Sequence, residues 1–255
     1  MALAASSTIG ATIGATIGAE RSDSAATTAP VPPHEAVYEV LRRGNEIGKV
    51  HVSLSRDERG IWHYDTETEA TATLARMLRV SAEESAHFMW EGDQVRMLTY
   101  HQVARGPTRS RFWQHQLDWE EGVSNTHTYD GDHLIDLEEN LLDPLTLRLQ
   151  IAALLHDEAN RGKDLDFRVL ERDEIEDQQM FFHGHESLAV PAGCFQAQHM
   201  ERFRREGSSR NYHSWHSEAF YWMPLRILQI KDGREEIDIR LAETTPEIRP
   251  DGQDC

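Results

Sequence analysis

From Tyr38 onward the chain is a series of short segments in which apolar and polar positions alternate, separated at regular spacing by turn residues. A period of two is the pattern of strands with one buried face. "IWHYDTETEATA" puts Trp62, Tyr64, Thr66, Thr68 and Ala70 on one face and charges at 65, 67 and 69 on the other. "RFWQHQLDW" likewise aligns Trp113, His115, Leu117 and Trp119. Gly44, "RDERG", "EGD" at 91–93, "DGD" at 130–132 and Asp232-Gly233 punctuate the series, the last being a dipeptide suited to a two-residue hairpin.

One segment breaks the alternation. In "ENLLDPLTLRLQIAALLHDEAN", Asp143 stands as a helix cap and Pro144 at the first helical position, where its missing N–H costs nothing. The spacing predicts a helix to about residue 158. Leu145, Leu147, Leu149, Ile151, Ala152, Leu154 and Leu155 leave it little polar surface, so the sheet must wrap much of it. At about 1.5 Å per residue it is too short to span a bilayer. The pattern predicts a mainly β fold, one curved antiparallel sheet of about a dozen strands, a half-barrel or open barrel, around one buried helix. This domain covers 36–243, between a low-complexity, disordered segment 1–35 and a loose polar tail 244–255.

Composition narrows the function. The net charge of -18, from 44 acidic and 26 basic residues, repels phosphate backbones, and the densest basic run, "RFRREG" (202–207), is flanked by glutamates. Nucleic acid is excluded as a partner, and no run of 18 apolar residues exists to form a transmembrane helix. Residues 1–19 repeat Thr-Ile-Gly-Ala without a charged side chain, a poor match to an export leader, although "ALA" at 2–4 has the form of a cleavage site. Two cysteines are too few for a disulfide scaffold; Cys194 is expected as a buried thiol and Cys255 as part of the loose end, and the two can pair only if the tail folds back.

Candidate chemistry centres on "MFFHGHESLAVPAGCFQAQ" (180–198). His183 and His185 would share a face if the strand ran straight through Gly184, an arrangement that zinc can use once a third ligand joins from His199, His213, His216, Glu186 or Cys194. With 14 histidines spread over the strands, chance pairs are expected, and a double turn at Gly184 and Pro191-Ala192-Gly193 explains the stretch as well. No G-x-S-x-G occurs, and the paired carboxylates Glu120-Glu121, Glu138-Glu139 and Glu235-Glu236 sit beside turns. No catalytic residue and no cofactor is expected.

The runs "YEVLRRGNEIGKVHVSL", "DPLTLRLQIAALL", "FHGHESLAVPAGCFQAQHMER" and "YWMPLRILQIKDG" resemble the uncharacterised bacterial domain-of-unknown-function family 3108, over roughly residues 36–242. The resemblance implies an export leader, a place in the Gram-negative envelope (periplasm), and a curved half-barrel similar to lipoprotein carriers, with helical segments lining a concave sheet; the alternative location, if the N-terminus is not an export signal, is the cytoplasm. It implies no catalytic residues. The expected function is that of a non-enzymatic envelope protein binding an apolar ligand, a lipid or acyl chain, against Trp62, Tyr64, Trp113, Leu117 and Trp119. The other reading of these residues is that they fill the core and line no cavity. Two alternatives stay open: a metal-dependent hydrolase using His183 and His185, and an interaction module that pairs with an envelope protein through a strand edge near 202–216.

Overall fold

The computed structural model describes residues 29–71, 81–106, 110–203, 209–252 and 255. Most of the low-complexity N-terminal segment therefore lies outside the described residues. From there the strands are β1 (His34–Arg42), β2 (Asn45–Arg56), β3 (Trp62–Ala70), β4 (Ser81–Glu91), β5 (Gln94–Arg105), β6 (Ser110–Asp118), β7 (Val123–Thr128) and β8 (Gly131–Asp136). After β9 (Leu141–Leu142) comes the helix α1 (Thr146–His156), followed by β10 (Leu165–Glu171), β11 (Glu174–Val190), β12 (Gly193–Phe203), β13 (Arg210–His216), β14 (Pro224–Lys231) and β15 (Arg234–Thr245). All fifteen belong to one sheet in the order β8-β7-β6-β5-β4-β3-β2-β1-β15-β14-β13-β12-β11-β10-β9. The expected dozen is thus corrected to fifteen among the described residues: two-residue β9 is too short to show a period, yet pairs in parallel with β10.

The sheet is two meanders joined where β1 pairs with β15. Tight turns set the register. Arg43 (φ 50) and Gly44 (φ 81) link β1 to β2, and Asp232 (φ 52) and Gly233 (φ 72) link β14 to β15; both two-residue loops take the positive φ values that match strand twist. The curvature brings the two outer ends towards each other. Arg172, in the turn between β10 and β11, bonds Asp130 at 3.2 Å and lies over the Tyr129 ring, both in the turn between β7 and β8. Within the stretch 202–216, β12 and β13 are each paired on both sides and form no edge, while 204–208 lie outside the described residues; this corrects the strand-edge expectation for the described part.

The helix forms in the predicted segment but spans Thr146–His156 with Leu145 at its N-cap, so Asp143 and Pro144 fall in the turn before it rather than at its cap and first position. Asp143 Oδ1 accepts the N–H groups of Leu145 (2.7 Å) and Thr146 (2.8 Å), while the Thr146 hydroxyl accepts the Asp143 N–H at 3.1 Å, a reciprocal cap on the turn leading into α1. Eight of its eleven residues are buried, Leu147, Leu149, Ile151 and Leu155 among them. Gln150 anchors α1 to the far half of the sheet: its carbonyl accepts the Val95 N–H at 2.8 Å, and its amide donates to the Asp93 carbonyl at 3.0 Å. No described helix is long and apolar enough to cross a membrane.

The two chain ends depart from the sequence expectations. Val31, placed in the N-terminal linker by its composition, is fully buried, and His34 packs edge-on against Phe220. Cys194 and Cys255 form a disulfide, so the free thiols are corrected. The tail is held as well: Gly252 N–H donates to the Cys194 carbonyl at 3.0 Å, Gln196 N–H to Asp251 Oδ1 at 2.9 Å, and Ile248 packs on the core. Gly193 (φ +140) makes room for it, since a Cβ there would stand 2.4 Å from Pro250 Cγ. The tail is polar in composition, but the pairing of Cys194 with Cys255 ties it to the β11–β12 hairpin.

Candidate functional site

Between α1 and the concave face lies a cavity of about 280 Å³, walled by Trp113, Leu147, Ile151, Met180, Ile227 and Ile239, with Gln102, Glu171, Arg202 and Tyr212 adding polar groups. A smaller lobe of about 110 Å³ lies beside it, lined by Val50, Val52, Tyr38, Tyr64, Thr66 and Thr68. Both lobes touch Glu84, Arg148, Pro224, Ile227 and Ile239, so the Glu84 and Arg148 side chains stand where they meet. Alternation explains the wall. Ser214 pairs with Ile227 and Ile227 with Ile239, so these three cross-strand neighbours present one face to the leucines of α1.

The junction is polar inside an apolar shell. The Tyr64 hydroxyl lies beside the Arg148 guanidinium, Tyr100 Oη donates to Glu84 at 3.1 Å, and Tyr38 Oη donates to the Pro224 carbonyl at 2.8 Å. Burial pushes the Tyr38, Tyr64 and Tyr100 hydroxyls above the usual phenol range, so all three stay protonated donors. Burial works against the Arg148 charge, but Glu84 and the tyrosines outweigh it and leave the guanidinium more firmly protonated than usual. Beneath it the Asp143 carboxyl is raised to about 6 by burial, against the pull of its bonds to Thr146 and Leu145. Its Oδ2 has no hydrogen-bond partner among the described residues.

The residues expected to form a wall divide. Trp113 lines the main cavity and Tyr64 the smaller lobe. Trp62 is buried and stacked on Phe88, and Leu117 is buried in the core. Trp119 donates its indole N–H to the Met97 carbonyl at 2.7 Å beneath the Arg96 guanidinium. Neither Glu84 nor Arg148 was singled out by sequence. The signal was present in both: Arg148 is the one cation in an apolar helix, and Glu84 is in step with Ala86 and Phe88, which are fully buried.

The two histidines of the His-x-His stretch do not act as a pair. The β11–β12 register shifts between Phe182 and Gly184, and Gly184 adopts φ +141. His183 turns to Glu201 (Nε2–Oε2 2.7 Å) and the His199 ring, whereas His185 lies opposite Gln198 and packs on Phe182. The alternation that would align them is broken at the bulge, which corrects the metal-pair expectation. His199 bonds His213 at 3.0 Å and stacks on Trp215, but among the described residues no group of three His, Cys, Asp or Glu side chains is arranged to hold a metal.

The fold is that of a β-barrel-like protein built from one large, open, curved sheet with a single α-helix among the described residues. Among solved structures it is similar to the β-barrel-like protein of domain of unknown function 1849 from Brucella abortus, with a TM-score of 0.53 and 8% identity over 86% of this chain and 98% of that one. A looser likeness, TM-score 0.34 and 10% identity, links 88% of the chain to 55% of MucB and carries no weight for fold or role. No family model and no curated protein matches the sequence. The resemblance to family 3108 thus rests on the quoted runs alone.

Proposed function

We propose that the chain is a non-enzymatic protein of the bacterial cell envelope that holds an acyl-type ligand in the cavity between α1 and the sheet. The apolar wall of that cavity, about 280 Å³ with a second lobe beside it, carries the reading. Pockets of this kind bind by removing apolar surface from water, worth about 0.8 kcal/mol per buried CH₂. The Cys194–Cys255 disulfide supports an oxidising compartment such as the periplasm. Native mass spectrometry of protein purified from an envelope fraction tests the proposal. An added mass that fragments into acyl chains is expected; a bare chain that also fails to take up 1-decanol overturns it. The Ile151→Trp variant, which fills the main lobe, should lose the added mass.

A second reading, a strand-pairing module for an envelope protein partner, is favoured by β8, which pairs only with β7 among the described residues and leaves Leu134 69% exposed. It predicts a partner captured by the wild type and lost in Leu134→Lys. Capture that survives the substitution refutes it.

A further inference from the structure

The main lobe carries polar groups from Gln102, Glu171, Arg202 and Tyr212, but of the charged side chains only Glu84 and Arg148 border both lobes. Arg148 reaches the junction from α1, the only charged side chain in the helix apart from the terminal His156. A guanidinium has five N–H donors in a planar fork that suits a carboxylate. Around Arg148 stand the hydroxyls of Tyr38, Tyr64 and Tyr100 and the Glu84 carboxylate, which already accepts from Tyr100. The five donors of a planar guanidinium can serve Glu84 and a second carboxylate at once.

We infer that the ligand carries a single carboxylate at one end of its apolar chain and that Arg148 binds this head group where the two lobes join. The inference rests on the cavity being the ligand site. Glu84 also limits the head group, because a dianion such as a phosphate monoester would meet its negative charge, with Asp143 contributing a second acid nearby. A monoanion displaces only part of the contact between Glu84 and Arg148. The chain then lies along Leu147, Ile151 and Ile227.

Calorimetric titration of the full chain with decanoate and with 1-decanol at pH 7.5 tests this. Hydrogen bonds to a charged group predict decanoate binding ~10- to 100-fold tighter than decanol. Arg148→Met should remove that preference while keeping decanol affinity within about twofold, because Met conserves much of the volume. Glu84→Gln, which deletes the repelling charge, should tighten decanoate and leave decanol unchanged; this variant serves if Arg148→Met does not fold. Equal affinities for acid and alcohol in the wild type overturn the head-group assignment while leaving the carrier reading intact. Failure of both probes to bind overturns the carrier reading, and the head-group assignment falls with it.

Discussion

Replacing Asp143 with Asn should stabilise the protein, by an amount that depends on pH. Asp143 is fully buried at the entrance to α1. One carboxylate oxygen accepts two backbone N–H groups, which an Asn carbonyl can also do, and the other has no partner among the described residues. Its pKa rises from 3.8 to about 6 on folding. A carboxyl with a raised folded pKa binds more protons in the native state between those two values, so stability falls as pH rises through the window and the full cost is present above about 6. At about 1.36 kcal/mol per pKa unit, ionisation costs the native state ~1 kcal/mol at pH 4.5 and ~3 kcal/mol at pH 7.5. The neutral amide of the variant carries no such cost. Urea unfolding followed by tryptophan fluorescence at pH 4.5, 6.0 and 7.5 should show the stability difference between Asp143→Asn and wild type growing by ~2 kcal/mol across the series. A difference that does not change with pH, or a variant less stable than wild type at pH 7.5, would refute the reasoning.

Three further outcomes are expected. His115 and His216 are buried, and both imidazoles are lowered to about 4, His216 against the pull of its bond to the Trp222 carbonyl. Their neutral forms support the fold above 6.5 and that support is lost as pH falls towards 4, so NMR should find both rings unprotonated at pH 5.5; a mid-point near 6.5 for either contradicts the burial argument. Cys255→Ser should cost ~4 kcal/mol on the chain-entropy relation for the 61-residue separation of Cys194 and Cys255, read from denaturant unfolding, and a loss below ~1 kcal/mol would mean that the bond constrains little. Asp238, buried between Arg226 (2.8 Å) and Arg240 (2.6 Å), should cost ~1.5–3 kcal/mol on change to Ala through its lost charged hydrogen bonds, since both arginines keep access to solvent, and no measurable cost in the same assay would sink that account.

Legibility followed the physics of each element. Strand alternation is local, so Trp62–Ala70 and the Asp232-Gly233 turn could be read directly, as could the helix, whose reciprocal cap lies within four residues of sequence. Features that depend on distant partners were hidden. Whether Cys255 reaches Cys194 depends on the path of the tail after Thr245. Whether His183 and His185 align depends on a single irregular residue, Gly184. The polar junction combines Glu84 from β4 with Arg148 from α1, 64 positions apart, and no periodicity within either element names the other.

The pairing of β1 with β15 has a consequence for how the molecule is held together. One meander runs from β1 to β8 and the other from β15 back to β9, and the backbone passes between them through residues 137–140. Among the described residues the protein is therefore two half-proteins joined by one covalent connection and one strand-pairing seam, with the side-chain bonds of Gln150 and Arg172 adding to them. The cavity lies on the boundary between them: Glu84, Trp113 and Tyr64 belong to the first half, and Arg148, Ile151 and Ile227 to the second. A molecule seated there touches both halves at once and acts as an adhesive, so its affinity and the cohesion of the two halves are a single linked quantity.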